Sequence, residues 1–315
     1  MLNKNEIFHR SEKNPILTAD DWPYSCNSVF NPGAIKFEDH TLLLARVEDH
    51  RGFSHLTAAR SRNGVDGWKI DTNPTLMPDT ANYPEEIWGI EDPRITYIEE
   101  INQWAVVYTA YSEAGPLVSI ATTRDFHTFE RIGAVMPPED KDAALFPVKF
   151  DGRWAMIHRP VSSFGGVDAH TWISFSYDFK HWGDHRILIH ARKGGWWDAN
   201  KIGISPPPLR TPEGWLILYH GVRTTVAGGI YRLGLALLDI EDPSKVLHRS
   251  DNWIFGPKEW YERQGDVSDV VFPCGWIEEN GEVRMYYGCA DTSIALATAK
   301  LSDILEYLTQ CPAGE

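Results

Sequence analysis

Ser176-Tyr177-Asp178-Phe179-Lys180-His181-Trp182 follows an apolar strand-like run, turns on an aspartate and ends in a ring that can pack back on a sheet. The same punctuation occurs at Thr123-Arg124-Asp125-Phe126-His127-Thr128-Phe129 and at Ser61-Arg62-Asn63-Gly64-Val65-Asp66-Gly67-Trp68. Leu238-Asp239-Ile240-Glu241-Asp242-Pro243 and Lys300-Leu301-Ser302-Asp303-Ile304 hold the corresponding place in two further units. The spacing is roughly sixty residues, giving five units, and a repeat of short strands at such a period is a propeller signature. Between the turns lie strand-like runs rich in β-branched and aromatic residues, such as 41–47, 104–111, 154–158, 215–221 and 283–288. The expectation is an all-β, five-bladed β-propeller spanning residues 1–315 as one catalytic domain. A β-sandwich would not produce a fivefold turn. The one convincing amphipathic helix is short and C-terminal: Ser302 is placed to cap it, and Ile304, Leu305 and Leu308 form its stripe.

Composition narrows the partners. The 315 residues carry a formal charge of −14, which argues against nucleic acid or an acidic membrane surface. Aromatic residues make up 12%, with 13 Trp, a load that suits sheet packing and stacking on sugar rings. The four cysteines, Cys26, Cys274, Cys289 and Cys311, have no metal-ligand spacing and read as free thiols of a reducing compartment. Met1-Leu2-Asn3-Lys4-Asn5-Glu6-Ile7 has no apolar targeting stretch, and no apolar run approaches membrane-spanning length. A soluble, cytoplasmic protein is expected. A homo-oligomer is allowed but not specified.

A propeller gathers loops from all blades around one funnel, so distant polar residues can converge there. Gly89-Ile90-Glu91-Asp92-Pro93-Arg94 places Asp92 at a loop-to-strand junction, beside a proline that fixes the backbone and an arginine that can orient a carboxylate. In isolation Glu-Asp-Pro also fits a simple turn, as Glu241-Asp242-Pro243 does. Other strand mouths are unusually cationic: Arg46 to His55, Lys141 before a buried run, Lys201 before Pro206-Pro207-Pro208, and His220 at the end of an apolar strand. A lone acid with cations on successive blades suits glycosidic cleavage by phosphate. Hydrolysis normally needs a second carboxylate, whereas phosphate arrives already nucleophilic and needs cations to hold it.

The ordered set Arg46-Val47-Glu48-Asp49, Glu91-Asp92-Pro93-Arg94, Lys141-Asp142-Ala143-Ala144-Leu145-Phe146-Pro147, His158-Arg159-Pro160, Lys201-Ile202-Gly203, Tyr219-His220-Gly221-Val222, Gly265-Asp266-Val267 and Tyr286-Tyr287-Gly288-Cys289-Ala290-Asp291-Thr292 resembles the mannoside phosphorylases of glycoside hydrolase family 130. The resemblance covers essentially the whole chain and implies the five-bladed fold. It implies inverting phosphorolysis of a β-mannoside (mannobiose or manno-oligosaccharides) to α-mannose 1-phosphate, with no metal or organic cofactor and inorganic phosphate as co-substrate. By resemblance Asp92 is the general acid, acting through a mannosyl hydroxyl. Arg124, Lys141, Lys201 and His220 would bind phosphate. Asn31, Arg46 and Asp291 would hold the mannosyl ring, with His55, Arg94, His158 and Arg159 as further pocket members. The family also contains hydrolases, for which Glu48, Asp49, Glu85, Glu86 or Asp266 would be the available base. A non-catalytic sugar-binding propeller is the reading from a different class. The turn is also similar to the Asp-box of sialidases.

Overall fold

The computed structural model describes residues 6–161, 169–226 and 228–313. Residues 1–5, part of the segment read above as lacking an apolar targeting stretch, lie outside them. Five antiparallel sheets follow one another along the chain and form the blades of a β-propeller. The inner strands are Ser28–Phe37, Ile90–Ile98, Asp140–Phe150, Lys201–Ile204 and Val271–Glu279, each followed outward by its hairpin partners. Blade 5 takes its outermost strand, His9–Arg10, from the opposite end of the chain, paired with Ser293–Lys300. This closure is reinforced by Arg10, whose guanidinium meets buried Glu262 at 2.7 and 3.0 Å.

The repeated turn forms by local chemistry. Asn63 Oδ1 accepts the N–H groups of Val65 and Asp66, Asp125 Oδ1 those of His127 and Thr128, Asp178 Oδ1 those of Lys180 and His181, and Asp239 Oδ1 those of Glu241 and Asp242. These are side-chain mimics of a backbone turn. The ring that anchors the second and third copies most deeply is the one after the aspartate: Phe126 packs against Phe37, and Phe179 stacks on Trp154 at 4.5 Å. The fifth copy differs, because Lys300 is the N-cap of the helix Leu301–Thr309. That helix starts one residue before the expected Ser302. Ser302 does not cap it: its hydroxyl bonds Asp303, while Ile304 and Leu308 are buried as the stripe requires.

One apolar cluster fills each seam between adjacent blades. Alternate residues of a strand serve opposite seams, as the period of two dictates. Thus Leu42 and Leu44 face blade 2, while Leu43, Ala45 and Val47 face blade 5. Near the funnel this alternation is deliberately broken. The register slips between Phe30 and Gly33, between Glu91 and Arg94, and between Lys141 and Ala144. At the centre of these three bulges sit Asn31, Asp92 and Asp142, all in the left-handed region, with φ of 46°, 52° and 49°. Asn and Asp are the non-glycine residues that tolerate this conformation best, and a bulge re-aims a side chain out of the sheet's alternation. Blade 4 breaks its inner edge differently: Pro206-Pro207-Pro208 cannot donate to a ladder, so Lys201–Ile204 and Leu209–Thr211 pair separately with Gly214–Thr225.

Candidate active site

Asp92 is 2% exposed. Its Oδ1 accepts the Asn31 amide at 2.9 Å and an Arg46 amino group at 3.2 Å, while Oδ2 takes no hydrogen bond from the described residues. Burial pushes its carboxyl up, but Arg46, Lys141, Arg94 and the Asn31 hydrogen bond outweigh it and hold it below the usual carboxylate range. Asn31 reaches Asp92 because blade 5 offers Gly288 where they meet; a Cβ there would lie 2.0 Å from Asn31 Oδ1. The loop before Asp92 is tied down by wholly buried Glu86, which accepts Tyr108 Oη at 2.6 Å, Arg131 Nε at 3.1 Å and the Asp79 N–H at 2.8 Å.

Arg46 is the hub. Besides Asp92 it bonds Glu91 at 3.0 Å, Glu48 at 3.2 Å and Ser54 Oγ at 2.9 Å. Asp291 lies in the same field, and burial raises its carboxyl to about 6, with Asp92 and Glu48 adding and Arg46 and Lys141 opposing. A carboxyl raised in the folded state stabilises the fold fully below its unfolded value, and that contribution is lost as pH rises through about 6. Asp291→Asn is therefore expected to leave the Tm unchanged near pH 4 and to stabilise by about 1–2 kcal/mol at pH 8, after discounting for residual solvent. Equal Tm values for variant and wild type at both pH values would contradict this.

Beside the acid lies a cavity of about 620 Å³ whose wall includes Glu91, Lys141, Arg159, Lys201, His220 and Tyr231. Lys141 and Arg159 come from blade 3, Lys201 and His220 from blade 4. Lys201 Nζ stands 5.3 Å from the centre of the Tyr231 ring. The sequence expectations for Lys141, Arg159, Lys201 and His220 thus converge on one wall, while Asn31, Arg46 and Asp291 gather around Asp92.

Four expected members are elsewhere. Arg124 is exposed in the turn after Gly115–Thr123, at the end of blade 2 opposite Asp92, because strand Ile90–Ile98 starts at the funnel and Gly115–Thr123 runs away from it. Arg94 is buried and spends its donors on backbone: NH1 on the Asp92 carbonyl, Nε on Ser205 and NH2 on Ile204. It clamps the acid's main chain to the proline-broken strand of blade 4 and is absent from the cavity lining, though its NH2 stands 3.6 Å from Asp142 Oδ1. His158 lies inside blade 3, between Asp140 at 2.6 Å and Ser174 Oγ at 2.7 Å. His55 faces the blade 5 side of its strand, bonded to Tyr24 Oη at 2.9 Å. The residues that sequence reasoning passed over are Asp142, Tyr231, Phe272, Tyr111 and Glu139, all on the wall. Asp142 had a signal: Lys141-Asp142-Ala143 occupies the same bulge as Glu91-Asp92-Pro93.

A five-bladed propeller with buried Asp92 beside a cavity lined by Lys141, Arg159 and Lys201 defines the class, a β-propeller of the glycoside-hydrolase type. The chain belongs to glycoside hydrolase family 130: the family's sequence model, described as beta-1,4-mannooligosaccharide phosphorylase, matches residues 4–310. It is 33% identical over 311 residues to the beta-1,4-mannooligosaccharide phosphorylase of Ruminococcus albus, covering 96% of this chain and 91% of that one. It is 39% identical over 279 residues to the beta-1,2-mannobiose phosphorylase of Listeria innocua, covering 86% and 75%. The solved structure of a Listeria innocua beta-1,2-mannobiose phosphorylase with beta-1,2-mannobiose superposes with a TM-score of 0.86 at 32% identity, over 96% of this chain and 99% of that one.

Proposed function

We propose that this chain cleaves β-mannosides by inverting phosphorolysis. The observation that carries the reading is buried Asp92, whose Oδ2 takes no hydrogen bond from the described residues, set beside a wall bearing Lys141, Arg159 and Lys201. Phosphate held by these cations attacks the anomeric carbon, and the bond to the glycosidic oxygen breaks on the opposite side. The leaving oxygen takes a proton relayed from Asp92 Oδ2 through a mannosyl hydroxyl, and the products are α-mannose 1-phosphate and a shortened acceptor. Asn31, Arg46 and Asp291 hold the mannosyl ring. This route uses inorganic phosphate as co-substrate and asks for no metal or organic cofactor. The relatives' names support the substrate class and leave both β-1,2 and β-1,4 linkages as candidates. At the cavity mouth Tyr111, paired edge-on with Trp88 at 5.4 Å, supplies an exposed ring for the acceptor sugar. The four free thiols fit a reducing, cytoplasmic setting.

The carboxylates that hydrolysis would recruit are engaged away from the wall. Glu48 pairs with Arg46, Asp49 with Arg51, Glu85 with the Ala134 N–H, Glu86 with Tyr108 and Arg131, and Asp266 with Asn27. Incubation with β-1,2- and β-1,4-mannobiose, each with and without phosphate, tests the reading. Mannose 1-phosphate is expected only with phosphate. Free mannose at equal rates in both arms would mean hydrolysis, with exposed Glu139 as the base to examine, and binding without turnover would mean a sugar-binding propeller.

A further inference from the structure

We infer that Asp142 is a positioning residue for the nucleophile, aiming one Arg159 amino group and fixing the His220 ring; this rests on the phosphorolytic reading above. Asp142 is wholly buried at the third bulge, the blade 3 counterpart of Asp92. Its Oδ2 receives Arg159 Nε at 2.8 Å and Arg159 NH2 at 2.6 Å. His220 Nε2 approaches the same oxygen at 3.3 Å, and Arg94 NH2 stands 3.6 Å from Oδ1. Three blades therefore converge on one carboxylate. Gly203 makes the fit possible, since a Cβ there would lie 2.6 Å from Asp142 Oδ2 and 2.6 Å from His220 Cε1.

With Nε and NH2 on Asp142, Arg159 keeps NH1 without a partner among the described residues, and the side chain lies on the cavity wall. His220 is neutral, burial having lowered it to about 4. Its network assigns the tautomer: Nε2–H donates to Asp142, and Nδ1 accepts from the Ser205 hydroxyl at 3.3 Å. Both ring nitrogens are thus engaged, which fixes the angle at which the His220 ring lines the wall. Phosphate charge falls to Lys141, Lys201 and Arg159.

An anionic carboxylate beside an anion site opposes binding, so its presence is geometric in purpose. Burial pushes the Asp142 carboxyl up, but Arg159, His220 and Lys141 overcome this and keep it ionised. Asp142→Asn removes one negative charge, which favours phosphate in the ground state. It also loosens the Arg159 fork, and a displacement of about 1 Å from the reactive arrangement costs on the order of 100-fold in rate. The expected signature is a kcat for phosphorolysis reduced about 100-fold, with the phosphate KM unchanged or lower and the mannoside KM unchanged. A purely structural role would lower the Tm and leave kcat per folded molecule intact. Arg159→Lys keeps the charge but cannot form the fork, so it is expected to show the same kcat loss and serves if the first variant does not fold. Wild-type kcat in either folded variant, or a raised phosphate KM with unchanged kcat in Asp142→Asn, overturns the assignment. A wild-type enzyme that turns over equally without phosphate overturns the phosphorolytic reading itself, and is distinguished before any variant is measured.

Discussion

Asp92→Asn is expected to reduce phosphorolysis by at least about 1,000-fold while leaving the fold intact, because the amide is nearly isosteric and cannot deliver the relayed proton. General acid catalysis alone is worth on the order of 100- to 10,000-fold, and here it acts on an alkoxide leaving group that needs it. The fold should survive because Asn tolerates the φ of 52° at this bulge as Asp does. Arg46 and Lys141, working against burial, hold the carboxyl low. In the proposed reaction, phosphate held by Lys141 would relax that hold and let Asp92 carry the proton when the nucleophile is in place. Progress curves for mannose 1-phosphate together with thermal melts check the prediction. Near-normal turnover in a folded variant would remove Asp92 from the acid role.

Arg46→Met is expected to destabilise the fold by about 3–5 kcal/mol at neutral pH, the scale for stripping a buried charge cluster of its counter-ion. One guanidinium serves Glu48, Glu91 and Asp92, and it lies over the Phe30 ring at 4.6 Å. Met retains much of the packing stem but leaves three carboxylates facing one another. They can be relieved by protonation, so the deficit should shrink as pH is lowered toward 5. Urea unfolding at pH 7 and pH 5 reads both parts. A loss under 1 kcal/mol at pH 7 would mean that solvent, not Arg46, neutralises the cluster.

The blade count was legible because the turns use local rules: an Asp or Asn side-chain oxygen accepting the next N–H groups leaves the same residue type in four of the five copies. Outer and middle strands such as 104–111 and 215–221 were equally plain, being continuous and apolar. The inner strands were harder. Asp140–Phe150 begins with three charged residues, and Lys201–Ile204 ends at a triple proline. Asp92 itself stood out through its proline and arginine, yet the use of Arg94 depends on the carbonyls of Ile204 and Ser205, more than a hundred positions away. Arg124 misled because the turn that identifies the propeller lies at the far end of the blade from the funnel. His55 and His158 misled because alternation along a strand decides which way a side chain points, and theirs turn away from the funnel.

The borrowed outer strand of blade 5 sets a timetable for the enzyme's birth. A chain leaving the ribosome can complete blades 1 to 4 in order, but His9–Arg10 must wait for Ser293–Lys300 before it can pair. Until then the ring is an open arc with unpaired strand edges, the form of a nascent protein most exposed to misassociation. Asn31 and Asp291, from the first and last blades, meet around Asp92 only when the arc shuts. The surroundings of Asp92 are thus completed in one late step, when the last blade meets the first.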